Sequence, residues 1–543
     1  MAAQAATIKQ LDHLGLVAGF CHEISLPRII DKFIPKHSEH NVSHGESVLA
    51  MILNGLGFRS RTLHMFSDFF EHKPTDKLIG NGVLPEHLND DVLGRTLDAL
   101  YDANVSMLYQ VIAEHVVQHL GLSSESVHLD ITSFHVDGEY GEVSDEGAQR
   151  LELTKGYSRD HRPELNQVIL ELICENQAGI PVYMQALSGN TNDSKAFAEV
   201  TKNHIKSLKA AQRSQYLIGD AALYTPEAIQ SLHTQSQTFI TRVPMTINLA
   251  KQALLNLSPS SLVDIGGGYA ASWLEVEYAE VPQRWLLIRS EDATKREMAT
   301  WDKKLRKLEN KERKAFDKLK KKEFACQLDA QTAALEFSKQ CQVLALPNLF
   351  VFEKPSFKGR GRPSKNAVPT GYSYQIQATP TLDEEKIKLA KAKVGMFILA
   401  TNDTLNEQLT MSAMLSNYKS QQKVERGFRF LKSPEFLTSS LFLKKPERIE
   451  ALLMVMTLSL LVYAGLEHKI RQELAKDEAY FPSMVKNKAT DRSTARWVFL
   501  KFEGIHILDF QGERFITGLK GYQLRLLKAL GKRYEAIYSV STE

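Results

Sequence analysis

Between residues 126 and 242 the chain takes up the short apolar rhythm of strands separated by helices. The order of those elements constrains the fold more than any other feature. Residues 127–134 (VHLDITSF), 166–174 and 180–186 read as three strands rich in Val, Ile and Leu. A helix is expected over 193–211. A short buried strand follows at 216–219, and Thr225 is placed to cap a helix with Pro226 at its first position. A fifth strand lies at 239–242. Three strands, a helix, a strand, a helix and a strand make an α/β sheet.

The flanks have a different texture. Residues 1–122 read as helices: Ser43 and Glu46 form a capping box before an apolar run, Leu93, Leu97 and Leu100 recur at helical spacing from Asn89, and a third helix covers 108–120. A mildly basic segment, Phe58 to Arg61, lies between the first two. Beyond residue 244 the sheet pattern breaks for about 150 residues. A β-ribbon at 269–290 precedes a charged helix or helical hairpin at 294–342, then strands near 349–352 and 372–376. Sheet-like texture resumes at 395–400, and a helix is expected over 405–432. Residues 446–543 read as mainly helical. The expected organisation is a helical N-terminal domain (1–122), a split core (123–244 and 395–440), an insertion (245–394) and a helical C-terminal region (441–543).

The longest uncharged apolar run, 451–466, has sixteen residues and is interrupted by Thr457, Ser459 and Gly465. A spanning helix wants about 18–25, so a buried core helix is expected and no membrane partner. The four cysteines form no CxxC pair, which argues against a zinc site or a disulfide framework. The first residues lack a basic n-region and an apolar h-region, so a soluble protein of the cytoplasm is expected.

The 67 basic and 64 acidic residues leave a net charge of +3, which excludes a surface coated in one sign. Local excess is another matter. Residues 295–323 hold 13 basic and 6 acidic side chains, and 354–365 (KPSFKGRGRPSK) hold five basic and no acidic ones. Within the latter, Lys358, Arg360 and Arg362 surround an RGRP core of the kind found in minor-groove AT-hooks, where Arg meets the negative potential of a narrow groove. The plainer reading is a basic loop between strands. Both predict contact with the DNA backbone.

Three acids are placed to carry chemistry. Asp130 lies inside an apolar strand, where Asp is disfavoured and an unpartnered carboxylate is costly. Asp220 ends a buried strand at a strand-to-helix turn, the edge where ligands sit in α/β sheets. Taken alone, Asp130 reads first as a carboxylate held by backbone donors and Asp220 as a turn cap. On a continuous helix through 405–432, Tyr418, Gln421, Glu425 and Lys432 project within about 60° of one another. Three acids converging at a sheet rim repel unless a cation neutralises them, and hard oxygen ligands suit Mg²⁺ or Mn²⁺.

The string YKSQQKVERGFRFLK, with Tyr418-(2)-Gln421-(3)-Glu425-(6)-Lys432, resembles the Y-(2)-R-(3)-E-(6)-K signature of bacterial insertion-sequence DDE transposases. HLDITSFHVDG and YLIGDAALYT resemble the strands bearing that superfamily's two Asp residues. GYSRDHRPELNQV, LNDDVLGRTLDALY and RWVFLKFEGI resemble further stretches of one subgroup, so the resemblance touches nearly the whole chain in order. It implies a ribonuclease H-like mixed-sheet core with a β-rich insertion before the catalytic Glu helix. It also implies a catalytic and metal-binding set of Asp130, Asp220 and Glu425 holding two Mg²⁺, with Mn²⁺ able to substitute. The implied partners are double-stranded DNA, as terminal inverted repeats and as target, and a second copy of the chain in the synaptic complex. Tyr418 and Lys432 would contact DNA phosphates. Where the signature has Arg this chain has Gln421, which brings no charge and no bidentate fork. Arg429, about 20° from Tyr418 on the same wheel, is the expected partial substitute. A metal-dependent nuclease without strand transfer, and a repurposed or inactive transposase that only binds DNA, are the alternatives.

Overall fold

Polar caps fix where the N-terminal helices begin. In the computed structural model, Ser43 Oγ accepts from the Glu46 N–H (3.1 Å) while Glu46 Oε2 accepts from the Ser43 N–H (2.7 Å). Asn89 and Asn104 likewise accept from the Val92 and Met107 amides. The helices they start, with the one before them, are α1 (Leu14–Glu23), α2 (His44–Gly55), α3 (Asp90–Asp102) and α4 (Val105–His119). The structure describes residues 7–58, 61–122, 126–136, 151–157, 162–192, 196, 215–357, 368–433, 443–486, 488–510 and 513–539. Most of the helix expected at 193–211 lies outside them. The chain divides into two units: Met1–Thr241 with Ala279–Val281 and Ser416–Glu543, and Arg242–Tyr278 with Pro282–Leu415.

In the first unit the expected strands appear as β1 (Ser126–Val136), β2 (Asn166–Glu175), β3 (Pro181–Ser188), β4 (Tyr216–Gly219) and β5 (Thr238–Arg242). Their order across the sheet is β3-β2-β1-β4-β5. β1, β2 and β3 run antiparallel, whereas β1, β4 and β5 run parallel. The crossover from β4 to β5 is α5 (Pro226–Thr234), capped by Thr225 Oγ1 as its sequence requires. This mixed sheet bears out the expected ribonuclease H-like α/β class.

The second unit holds the antiparallel strands β6 (Tyr269–Tyr278) and β7 (Val281–Ser290). The charged helix or helical hairpin expected at 294–342 is a helical pair preceded by a shorter helix. Glu291–Ala299 is followed, after a break at Thr300, by α6 (Trp301–Lys320) and then α7 (Gln327–Gln340). A hairpin of β8 (Phe350–Ser356) and β9 (Gly371–Gln377) packs Ile376 against Phe316 of α6 and Ala330 and Ala334 of α7. β10 (Met396–Thr401) pairs antiparallel with β7.

The helix expected over 405–432 is two helices, α8 (Met411–Lys419) and α9 (Gln422–Leu431), separated at Ser420 and Gln421. The apolar run at 451–466 is the middle of α10 (Pro446–Ala475), whose apolar stretch is mostly buried in the protein. Its three interruptions are accounted for by packing. Thr457 and Ser459 donate to the Leu453 and Val455 carbonyls one turn back (2.8 and 3.0 Å), so neither hydroxyl is stranded. A Cβ at Gly465 would sit 2.7 Å from the Phe20 ring, so α1 approaches α10 only because that position lacks a side chain. α1–α4, α9, α10 and one face of β1–β3 share a single apolar core. Residues 1–122 and 441–543, set apart by sequence texture, are therefore packed together. Thr7–Gln10 even forms a sheet with His506–Phe510, which also makes the C-terminal region less wholly helical than its sequence suggests. Charged side chains fasten the helices at the edge of that core. Glu23 accepts from Lys469 (2.5 Å), His119 (2.9 Å) and Tyr534 (2.7 Å), and Arg448 of α10 grips Asp98 of α3 with two 2.7 Å bonds.

Candidate active site

Strand pleating puts His128, Asp130, Thr132 and Phe134 on one face of β1. Their partners on β2 are Cys174, Leu172, Leu170 and Val168, all members of the main core, so this face is the one turned toward the helices. Two contacts then fix the α8–α9 segment over it. Ser420 Oγ, in the break between the helices, lies 2.8 Å from His128 Nε2, and Lys432 Nζ, at the end of α9, lies 5.6 Å from the centre of the Phe134 ring. Phe428 and Leu431 seat α9 in the core. Asp130 is therefore bracketed, along its strand, by the two residues that anchor the helix carrying Glu425.

Asp220 reaches the same region by register. β1 and β4 run parallel with Leu129 opposite Gly219, so Asp130 and Asp220 are the next residues along two neighbouring segments. Asp130, half-buried, accepts from the Ile131 N–H with Oδ1 (2.8 Å). Asp220 accepts from the Ala222 N–H with Oδ1 (2.9 Å), and its own carbonyl accepts from Thr241 Oγ1 of β5 (2.7 Å). Both carboxylates thus have the backbone-held role that each suggests when read alone, and that role fixes where they stand.

Glu425 is exposed on the first turn of α9. Among the described residues no three His, Cys, Asp or Glu side chains stand close enough to hold one metal ion. The structure brings Asp130 and Asp220 together and sets Glu425 on the helix above their sheet face, without closing the three into one cluster. Two carboxylates on neighbouring strand positions still suit a hard cation, which relieves their mutual repulsion.

The break at Ser420 and Gln421 corrects the helical-wheel reading. Tyr418 belongs to α8 and is half-buried, so its projection relative to Glu425 does not follow from one continuous helix. Gln421 is 7% exposed and stands at the N-cap of α9. A side chain placed there lies under the helix start rather than on an outward face, which is the physical difference between this position and a solvent-facing phosphate contact. Glu425, Arg429 and Lys432 do share one face of α9, within about 60°. Arg429 is exposed and Lys432 half-buried. Lys358, Arg360 and Arg362, with the RGRP segment, lie outside the described residues. His128 and Ser420 are the two residues of this region that sequence reasoning misses. The period-2 alternation from Asp130 back to a buried His is the available signal for the first, and nothing local marks the second.

A family model described as "Transposase DDE domain" matches residues 127–462, more than half of the chain, and a "Domain of unknown function (DUF4277)" matches residues 6–114. No curated protein matches the chain. Among solved structures it is similar to a piggyBac transposase synaptic complex with hairpin DNA, at 10% identity over 92% of this chain and 83% of that one. The TM-score of 0.38 is too low for that likeness to support an inference.

Proposed function

From the premise that this chain belongs to the DDE transposase family, an enzyme acting on DNA, we propose that it is the transposase of an insertion sequence. It binds terminal inverted repeats, cuts DNA at the element's ends and joins the 3′-OH ends to target DNA. The observation that carries this reading is the side-by-side register of Asp130, within β1, and Asp220, just past the end of the adjacent parallel strand β4, beneath the helix bearing Glu425. In the proposal Asp130 and Asp220 would hold divalent cations, Mg²⁺ or Mn²⁺, and Glu425, which does not stand in one cluster with them here, would be the third carboxylate of the set. Such cations, when bound, stabilise charge on the attacking and leaving oxygens of an in-line phosphoryl displacement.

The chain's own residues supply position. The Ile131 and Ala222 amides hold one oxygen of each Asp, so neither carboxylate must be ordered when substrate arrives. His128 and Ser420 act as positioning residues that set the start of α9, and with it the height of Glu425 over the sheet. Arg429 and Lys432, on the same face as Glu425, are placed to meet the phosphates flanking the scissile bond, with Tyr418 at the edge of that surface. Gln421 supports the helix break rather than replacing the charge of an arginine. Lys358, Arg360 and Arg362 would add contacts along the backbone or the minor groove. Pairing two element ends calls for a second copy of the chain, so a homodimer is the proposed active form. An enzyme of this kind works in the bacterial cytoplasm, where its DNA is.

The test uses the full chain with labelled duplexes carrying the element's ends and a divalent cation. Asp130→Asn, Asp220→Asn and Glu425→Gln are each expected to abolish cleavage while leaving DNA binding intact. Full cleavage by any one variant removes that residue from the set. Cleavage by the wild-type protein with no joined product would support a nuclease without strand transfer instead.

A further inference from the structure

The excess of basic over acidic residues in 295–323 is concentrated on one side of α6. Of the six acids, Glu297 accepts from the Gly395 N–H (3.2 Å) and Glu309 pairs with Arg313 (2.9 Å). Glu312 accepts from the Gln342, Val343 and Leu344 amides (2.7, 3.3 and 3.0 Å), and Glu323 pairs with Lys354 (2.6 Å). Four acids are thus engaged with neighbours inside the second unit. Trp301 and Phe316 are buried, and Leu305, Leu308 and Leu319 are partly buried on the same side of α6. The outward side carries Lys303, Lys307, Lys311, Lys314 and Lys318, all exposed. At 100° and 1.5 Å per residue these five fall within an arc of about 80° along roughly 22 Å of helix. The two outward acids of the helix, Asp302 and Asp317, project outside that arc.

We propose that this lysine stripe on α6 is a docking surface for the phosphate backbone of duplex DNA, read without regard to sequence. The inference rests on the reading that DNA is the substrate, and adds where the insertion holds it. Charge complementarity chooses the partner. Five ammonium groups in one row repel one another unless a polyanion lies along them, and their flexible stems suit point contacts to phosphates rather than base readout. A sequence-independent grip of this kind fits target DNA, whose sequence varies, better than the element's ends.

The experiment measures binding of a random-sequence duplex of about 30 base pairs, over a range of salt, to the full chain and to a variant with all five lysines changed to Gln. The apolar side of α6 is untouched, and circular dichroism checks the helix content. The Gln variant is expected to bind at least ~10-fold more weakly, with the slope of log K against log salt reduced by roughly 0.9 for each phosphate no longer neutralised. The corresponding Lys→Arg variant should keep both affinity and slope. Wild-type affinity and slope in the Gln variant overturn the proposal. So does a change in sedimentation mass with the salt slope unaltered, which would assign the stripe to a second copy of the chain. End cleavage that persists while the Gln variant binds normally breaks this inference and leaves the transposase reading standing. A wild-type protein that binds random duplex through the stripe but never cuts an element end breaks the transposase reading instead.

Discussion

α10 and α6, of 30 and 20 residues, make opposite use of length. In α10 the side chains from Leu453 to Val462 are almost wholly shut away from water, and the helix touches α1, α2, α3, α4 and α9. In α6 only Trp301 and Phe316 are buried. A helix that is apolar all round must be surrounded, and one with a narrow apolar stripe must leave most of itself in solvent. α10 is therefore an organiser of the fold, whereas α6 is a scaffold for surface charge. The near-neutral total conceals this, because it averages the basic side of α6 with acidic residues elsewhere in the chain.

The largest expected effect lies in α10. Leu461 is fully buried, so Leu461→Ala removes apolar contacts and leaves a cavity, at a cost of about 2–5 kcal/mol. Equilibrium urea unfolding of the first unit's signal measures it. A loss below about 1 kcal/mol would mean that the helix is a passenger in the core, and the contrast with α6 would collapse.

A second effect, about as large, tests the same core through pH. His13 is buried beneath Phe58 and Phe499, its Nε2 2.8 Å from the Leu56 carbonyl. Burial lowers its pKa from 6.5 to about 4, with the bond to Leu56 opposing the shift. Between those values the unfolded chain binds the proton and the folded one resists it, so stability falls as pH drops from about 6.5 to about 4. The loss approaches about 3 kcal/mol for this residue. His22 and His44, also lowered by burial, act in the same direction. His13→Gln keeps a donor for Leu56 and cannot charge, so its unfolding midpoint should depend less steeply on pH in that window. An unchanged slope would show that His13 does not titrate in the folded core.

What is legible in the sequence follows the range of the interactions involved. The capping box at Ser43, the cap at Thr225 and strands such as 216–219 are local decisions, written within a few residues, and they appear where expected. The alternation around Asp130 and the strand-end position of Asp220 are local too, so both can be read directly. The break at Ser420 and Gln421 cannot, because an apolar periodicity runs straight through it. At the break Ser420 Oγ donates to the Asn417 carbonyl (2.6 Å) and meets His128 Nε2, nearly three hundred residues away in sequence. The shared core of residues 1–122 and 441–543 is hidden for the same reason. Its deciding contacts, Phe20 against Gly465 and Glu23 against Lys469 and Tyr534, join positions that no local window contains.

The smallest expected effect sharpens the comparison from the other side. Lys311 is exposed at the middle of the α6 stripe, and Gln has nearly the same helix propensity as Lys. Lys311→Gln removes no buried contact and relieves repulsion from Lys307 one turn back, so stability should change by less than about 0.5 kcal/mol in either direction. The same urea titration that registers Leu461→Ala measures it. A loss above about 1 kcal/mol would mean that the ammonium is held by a structural partner, and the outward face of α6 would then belong to the fold rather than to a ligand. Unchanged stability leaves at the middle of the stripe a lysine whose charge folding does not require, which is the condition under which that charge is available to bind something else.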